Sequence, residues 1–419
     1  MAEKFKAVKG TKDILPNDST KWQTLEQTVH EFMNRWGYGE IRTPAFERTE
    51  LFARSVGEES DIVSKQMYTF LDQSKTSLTL KPELTAPVMR AYLEHNLDRG
   101  GALTKLYYID ALFRQERPQK GRLRQFHQFG AEAVGSPHPE QDIEIIALAY
   151  RLMEAVGVAN PLLQLNSIGS KECQQKFRNA LVEFLTPHSS DLSETSRQRL
   201  KTNPMRILDT KDEGEQAILK SAPRILDCLD DPDKDHYDTV KAGLDALGIS
   251  YEQNDFLVRG LDYYGRTTFE ITSDALGAQN ALCGGGRYDD LLEELGGKPT
   301  PAVGFAAGME RILLAISKES ATDSNTTLKV FVISAGKGAG TAALQTAMDL
   351  RSKGVTSDFD TLQRSVKAQM REANRQGATH TVVIGEEELA NGTCQVKNLS
   401  TSEQKSLPFK ELFEHLTAV

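Results

Sequence analysis

Two extended apolar segments, Leu106–Phe113 and Phe126–Val134, flank the stretch Arg114-Gln-Glu-Arg-Pro-Gln-Lys-Gly-Arg-Leu-Arg124. Runs of this kind, joined by a linker with Pro118 and Gly121 as turn residues, pair as an antiparallel hairpin. The linker carries Arg114, Arg117, Lys120, Arg122 and Arg124. A solvated loop is the ordinary explanation. Crowding these cations together is nevertheless unfavourable unless an anion is held among them. Phe126, Gln128 and Glu132 fall at even spacing on the second segment, so they share one face.

A second stretch, Leu257-Val-Arg-Gly-Leu-Asp-Tyr-Tyr-Gly-Arg-Thr-Thr-Phe-Glu270, reads as a strand end, a turn at Gly260 and a further strand rich in Thr and Phe. Arg259 offers a rigid fork of donors to phosphate or carboxylate. Tyr263 and Tyr264 each present an apolar face and one polar tip. The plainer alternative is a hairpin whose tyrosines pack in the core and whose Arg259 pairs with Asp262. Leu78-Thr-Leu-Lys-Pro-Glu-Leu-Thr-Ala86 is a strand stopped by Pro82 and leading into a helix. Glu83 and Thr85 there suit either a substrate ammonium or the capping of that helix. Thr300–Leu314 reads as a strand of small residues, a turn at Gly308 and a helix opening with Glu310 and Arg311, where a ligand can approach the backbone closely.

A chain of 419 residues is expected to form two or three domains. No apolar run reaches membrane-spanning length and the first residues lack a signal-peptide pattern, so a cytoplasmic protein without membrane contact is expected. The formal charge of −9 argues against indiscriminate coating of nucleic acid but permits a specific RNA contact through local basic surface. Cys173, Cys228, Cys283 and Cys394 are scattered without Cys-x-x-Cys spacing, so neither a zinc site nor a disulfide framework is expected. Helical spacing predicts a first helix from Ser19 to Trp36, followed by a strand over Gly39–Pro44. Residues 171–251 read as helical and acidic, with Asp230–Asp235 as a loop, and show no catalytic constellation. After a polar linker, strands at Lys329–Ser334, Thr379–Ile384 and Thr393–Leu399 alternate with helices at Thr341–Lys353, Thr361–Gln376 and Pro408–Leu416. Arg364, Lys367, Arg371 and Arg375 form a basic stripe on the second of these helices. Gly284-Gly-Gly-Arg287 and Gly336–Gly340 match neither the P-loop nor the dinucleotide spacing.

Leu257–Tyr264 together with Ala281-Leu-Cys-Gly-Gly-Gly-Arg-Tyr-Asp289 resembles the pair of histidine-specific motifs of histidyl-tRNA synthetases, and the resemblance extends over essentially the whole chain. Phe113-Arg114-Gln-Glu116 with Phe126 resembles class II motif 2, Gly308-Met-Glu310-Arg311 motif 3, and the first helix with Pro44 motif 1. The resemblance implies an α+β fold: an antiparallel-sheet catalytic core (1–170 and 252–320), a helical insertion (171–251), a linker (321–328) and an α/β anticodon-binding domain with a mixed sheet (329–419). It implies ATP-dependent attachment of histidine to tRNA(His) by a homodimer, through a histidyl-adenylate. Mg2+ would accompany ATP, with no tightly bound, protein-ligated metal. By the same resemblance Arg259 and Arg114 carry the catalytic charge stabilisation. Arg114, Glu116, Arg122, Phe126 and Arg311 hold ATP, and Glu83, Thr85, Gln128, Glu132, Tyr263 and Tyr264 hold histidine. Lys81 and Leu84 depart from the Arg-Pro-Glu-Gly-Thr usual in bacterial relatives. A histidine-sensing paralogue that serves ATP phosphoribosyltransferase shares the core but lacks the C-terminal module and degrades the ATP-binding arginines, all of which are present here.

Overall fold

Alternation of apolar and small residues sets the central hairpin. In a computed structural model its strands pair from Thr104 opposite Val134 to Phe113 opposite Gln125. The structure describes residues 4–57, 60, 62–119, 121–258, 263–277, 280–316, 329–336 and 338–417. The chain divides into two units, residues 1–321 and 322–419.

In chain order the first unit carries β1 (Gly39–Glu40), β2 (Phe46–Arg48), β3 (Tyr68–Leu71), β4 (Ser77–Leu80), β5 (Thr104–Phe113), β6 (Gln125–Val134), β7 (Leu162–Ser167), β8 (Tyr251–Gln253), β9 (Gly265–Thr272), β10 (Ala281–Arg287) and β11 (Ala302–Gly308). Eight of them form one sheet in the order β1-β5-β6-β11-β10-β9-β7-β8, while β2, β4 and β3 form a smaller one. The large sheet is antiparallel except at its edges, where β1 runs parallel to β5 and β8 to β7.

The two faces of this sheet have different jobs. One buries Phe129 and Ala131 of β6, Phe269 and Ile271 of β9 and Val303, Phe305 and Ala307 of β11. They pack with Leu25, Val29 and Met33 of the helix Pro16–Arg35 and Ile145, Ile146 and Leu152 of the helix Pro139–Ala155. Each large apolar side chain so buried contributes about 1.5–3 kcal/mol. On the other face, Glu132 lies opposite Gly304 and Gly130 opposite Ala306, and these in turn face Gly286 and Gly284 of β10. Small residues at the centre of that face leave a trough, and added bulk is excluded: a Cβ on Gly304 would collide with the Glu132 carboxylate.

Several boundaries differ from the sequence expectation. The first helix starts at Pro16, whose fixed φ suits the opening turn, and ends at Arg35. Of Gly39–Pro44 only Gly39 and Glu40 are strand. Leu257 and Val258 are not in a strand, and β8 already ends at Gln253. The turn expected there, with Arg259, Gly260 and Asp262, lies outside the described residues. Asp230–Asp235 is not a loop: Asp230 caps the helix Asp231–Ala246 by accepting from the Asp233 N–H at 3.0 Å. The other helices of this segment, Lys171–Leu185, Glu194–Thr202 and Glu213–Leu219, are capped in the same way by Ser170, Ser193 and Asp212.

The second unit is a five-stranded mixed sheet, β13-β12-β14-β15-β16, built from β12 (Lys329–Ala335), β13 (Thr356–Phe359), β14 (His380–Gly385), β15 (Thr393–Asn398) and β16 (Gln404–Pro408). β13, β12 and β14 are parallel, and β14, β15 and β16 antiparallel. The two edge strands had no counterpart in the sequence reading, because their short polar runs lack apolar alternation. The helix expected from Thr361 begins only at Val366, and the last one is a 3-10 turn, Phe409–Glu411, followed by Leu412–Thr417. Within the basic stripe, Glu372 accepts from Arg375 Nε at 3.0 Å and Arg364 Nη1 at 3.3 Å, and these partners hold its carboxyl down to about 2. Lys367 and Arg371 are exposed. The expected linker at 321–328 lies outside the described residues.

Candidate active site

Above the trough lies a cavity of about 310 Å3, walled by Glu83, Thr85, Gln128, Tyr263, Tyr264 and Tyr288 and floored by Gly284, Gly304 and Ala306. Glu83 stands where β4 hands over to the helix Thr85–Glu94. Its two oxygens accept from the backbone N–H groups of Thr85 (2.8 Å) and Ala86 (3.0 Å). The capping reading of Glu83 is therefore realised, and the same carboxylate also lines the cavity. Desolvation raises its pKa to about 7, against the opposing pull of those N–H groups and of the Arg114 guanidinium.

Glu132 sits behind this wall, not in it. Its carboxylate accepts from the hydroxyls of Thr85 (2.8 Å), Tyr108 (3.0 Å) and Tyr288. Three of the roughly four acceptor positions of a carboxylate are thus used. Burial pushes Glu132 to about 7 as well, with the three hydroxyls pulling the other way. Burial also drives the Tyr108, Tyr263 and Tyr288 phenols well up, so they remain protonated donors. Tyr263 packs edge-on against Tyr288 at 5.4 Å between centroids.

A second cavity, of about 290 Å3, shares Arg114, Gln128, Gly284 and Ala306 with the first and continues past Glu116, Arg122, Phe126, Glu270 and Arg311. Arg114 is held by its Nε–H, which donates to Pro82 O at 2.8 Å, and by the Phe126 ring, 5.1 Å from its guanidinium. Burial lowers its pKa, but an arginine stays charged at any ordinary pH. Arg122 lies 3.6 Å from Glu116. Arg311 reaches across the cavity and donates to Gly121 O at 3.2 Å and Ala281 O at 2.8 Å. Arg114, tied through one of the five N–H groups of its guanidinium, has others with which to meet a ligand.

All the candidate residues except Arg259 are therefore gathered around one pair of joined cavities, and Arg259 lies outside the described residues. The sequence reading missed several others. Arg199, Arg206 and Asp209, from the helical segment in which no constellation was legible, also line the first cavity. Tyr108 and Tyr288 carry hydroxyls that hold Glu132; Tyr288 lies in the quoted motif Ala281–Asp289 and Tyr108 in the segment Leu106–Phe113, but nothing in the residues singled them out. Lys81, the departure from the usual arginine, is 1% exposed, and its Nζ donates to Asp110 Oδ2 at 2.5 Å and Thr43 O at 3.1 Å, tying the end of β4 to β5. Among the described residues the one cluster of metal-ligand type, Cys173 with Asp230 and Asp233, is engaged locally: Asp233 accepts from Ser170 N at 2.7 Å and Arg266 Nε at 2.9 Å.

The chain as a whole is similar to known proteins. The family profile described as histidyl-tRNA synthetase matches residues 10–312, and that of an anticodon binding domain matches residues 329–418. The chain is 48% identical over 414 residues to the histidine–tRNA ligase of Chloroherpeton thalassium, covering 98% of this chain and 97% of that one. It is 47% identical over 408 residues to the histidine–tRNA ligase of Thermosynechococcus vestitus, covering 97% and 95% respectively. The crystal structure of apo histidyl-tRNA synthetase from S. aureus superposes with a TM-score of 0.84 at 40% identity, over 99% of this chain and 100% of that one. On sequence, fold and the full-length extent of these matches, the chain belongs to the histidyl-tRNA synthetase family.

Proposed function

We infer that this chain is a histidine–tRNA ligase, which uses ATP to join L-histidine to tRNA(His) through a histidyl-adenylate and releases AMP and pyrophosphate. The observation that carries the reading is the pair of cavities meeting at Arg114 and Gln128, one lined by carboxylate and hydroxyls and the other by guanidinium groups. Such a junction brings an amino-acid carboxylate to the α-phosphorus of a nucleotide, the approach that the first half-reaction needs.

In this assignment Glu83, Thr85 and Gln128 receive the α-ammonium group. Glu132, with Tyr264 opposite, addresses the imidazole nitrogens, and Tyr263 closes the pocket. For Glu132 this means exchanging one of its hydroxyl partners for the substrate. The in-line attack on the α-phosphorus gathers negative charge on the phosphoryl oxygens, which Arg114 and Arg259 neutralise from fixed positions. Phe126 and Arg311 sandwich the adenine, Glu116 orients it, and Arg122 with Arg311 meets the γ-phosphate. Mg2+ would accompany ATP as part of that substrate. The nucleotide cavity carries Glu116, Glu270 and Glu310, hard oxygen donors of the kind that ion takes. No protein group is required as base in the second step, because the substrate phosphate can take the proton.

Catalytic core, helical insertion and anticodon-binding domain are assigned to 1–170 with 252–320, 171–251 and 329–419. The second unit would bind the anticodon arm, with the exposed Lys367 and Arg371 nearby. We assign a homodimer, for which the exposure of Phe46, Phe70 and Leu71 on the small sheet is the supporting feature. No helix among the described residues is long and apolar enough to cross a membrane, and we assign the enzyme to the cytoplasm as the compartment in which its tRNA substrate is used.

Pyrophosphate exchange measured with each of the twenty amino acids tests the activity. Histidine alone should support it. Histidine binding without exchange would instead describe a sensor.

A further inference from the structure

Among the described residues the largest wholly buried side chain is that of Arg287, and the reaction outlined above gives it no part. Its guanidinium is also saturated. Nε donates to Asp142 Oδ2 at 3.0 Å, Nη1 to Ser136 O at 2.8 Å and Asp289 Oδ1 at 3.0 Å, and Nη2 to His138 O at 3.2 Å and to Asp142. All the N–H groups of this guanidinium are thereby used, so none is left for a substrate, in contrast to Arg114. Burying such a pair is a poor route to stability, because apolar side chains of the same size often serve as well. What it does provide is fixed geometry, and its partners show where. Ser136 and His138 form the exit from β6, shortly beyond Glu132, and Asp142 lies in the first turn of the helix that follows. Tyr288 comes directly after Arg287 and donates its hydroxyl to Glu132. Asp289 accepts from Ala302 N at 3.2 Å, where β11 sets out towards Gly304 beneath the Glu132 carboxylate.

We propose that Arg287 is a positioning residue for histidine recognition: it clamps the exit of β6 to the end of β10, so that the Tyr288 hydroxyl meets Glu132 and holds its carboxylate in the orientation an imidazole N–H can reach. The residue touches no substrate and acts through Tyr288. One guanidinium ties together the segments that carry Glu132, Tyr288 and Gly304, and a buried side chain with every donor engaged has no second arrangement of similar energy. Direction matters here as much as charge. A buried acceptor free to turn would also satisfy a wrong guest, and discrimination relies on leaving that guest's partner unpaired. The inference rests on the ligase reading above and deepens it, because it says what keeps the proposed imidazole acceptor in place.

A double-mutant cycle read by histidine-dependent pyrophosphate exchange, with melting curves to confirm that each full-length variant is folded, tests the assignment. Arg287→Lys keeps the charge but cannot span Asp142, Asp289 and the two carbonyls, and should raise the KM for histidine about tenfold with the KM for ATP within about twofold. Tyr288→Phe should do the same. Combined, they should raise it no further than either alone, since both break one contact. An Arg287 that served folding only would move both KM values together, or its effect would multiply with that of Tyr288→Phe to about a hundredfold. Either result overturns the proposal, as does an unchanged KM for histidine in folded Arg287→Lys. If that variant does not fold, Asp289→Asn takes its place in the cycle, removing one charged partner at a partly exposed position. It should raise the KM for histidine about 2–10-fold in the wild type and not at all beside Tyr288→Phe, and any other pattern counts against Arg287. A wild-type protein without histidine-dependent exchange would instead overturn the ligase reading itself, and this inference with it.

Discussion

The two joined cavities solve opposite problems. The first cavity, proposed for the amino acid, is surrounded by groups that already satisfy one another: Thr85, Tyr108 and Tyr288 on Glu132, and two backbone N–H groups on Glu83. The second cavity, proposed for the nucleotide, is surrounded by cations anchored to backbone carbonyls, as Arg114 is to Pro82 and Arg311 to Gly121 and Ala281. Selectivity for a small ligand needs buried groups whose pairing fails with the wrong guest. Neutralising a triphosphate needs charge in fixed places, and tolerates more solvent.

The comparison breaks first at Arg114, which belongs to both cavities. Arg114→Ala should slow histidine-dependent exchange about 10²–10³-fold, the usual cost of one transition-state donor. Arg114→Lys should fare little better, because a point charge cannot keep both the Pro82 bond and a phosphate contact. A loss confined to the KM for ATP would move Arg114 out of the catalytic role. Next, Glu132→Gln should weaken histidine about 10–100-fold while leaving the KM for ATP within about twofold, since a charged acceptor in a buried network is worth roughly 1.5–3 kcal/mol. Equal changes for both substrates would mean that the cavities are not independent.

The third prediction concerns pH. Glu83 and Glu132 are both held up to about 7, above the 4.5 of an exposed carboxyl. As pH falls through about 7 they take up protons and lose the charge that an ammonium group or an imidazole N–H requires. The KM for histidine should therefore rise by at most about tenfold per pH unit for each carboxyl. Stability of the ligand-free protein should move the other way. The folded state keeps protons that the unfolded chain has released, so this contribution is full below about pH 4.5 and is lost as pH rises through about 7. Melting curves of the wild type and of Glu132→Gln across that window check the sign without interference from the ligand's own titration. The smallest expected effect is at Phe126. Phe126→Leu should raise the KM for ATP about 3–10-fold, in line with the roughly 0.5–1.5 kcal/mol of an aromatic contact, and leave histidine affinity unchanged.

What could be read from the residues, and what could not, follows the same division. β5 and β6 were legible to within two residues as extended runs flanking a linker with turn residues, and β11 as a run of small residues before Gly308. On β6, the common face of Phe126, Gln128 and Glu132 followed from periodicity alone. The edge strands were not legible, since Thr356–Phe359 and Gln404–Pro408 take their conformation from a neighbour and not from their own composition. Nor was the pairing of Arg364 and Arg375 with Glu372, which turns half of an inferred binding stripe into a local ion cluster. The most instructive omission is the trio Arg199, Arg206 and Asp209. Within residues 171–251 they look like surface charges, and only the fold carries them to a cavity whose other walls lie far away in sequence.

The double duty of Glu83 limits what genetics can teach about it. The same two oxygens that would greet an incoming amine also fasten the opening turn of the helix Thr85–Glu94, which in turn carries the Thr85 hydroxyl to Glu132. Replacing this acid would loosen that turn and shift a neighbouring hydroxyl along with the intended charge. A dead variant there would say little about recognition. Conversely, arrival of the substrate would tighten the start of a helix, so occupancy could be followed through exchange protection of the Thr85 and Ala86 amides before any chemistry takes place.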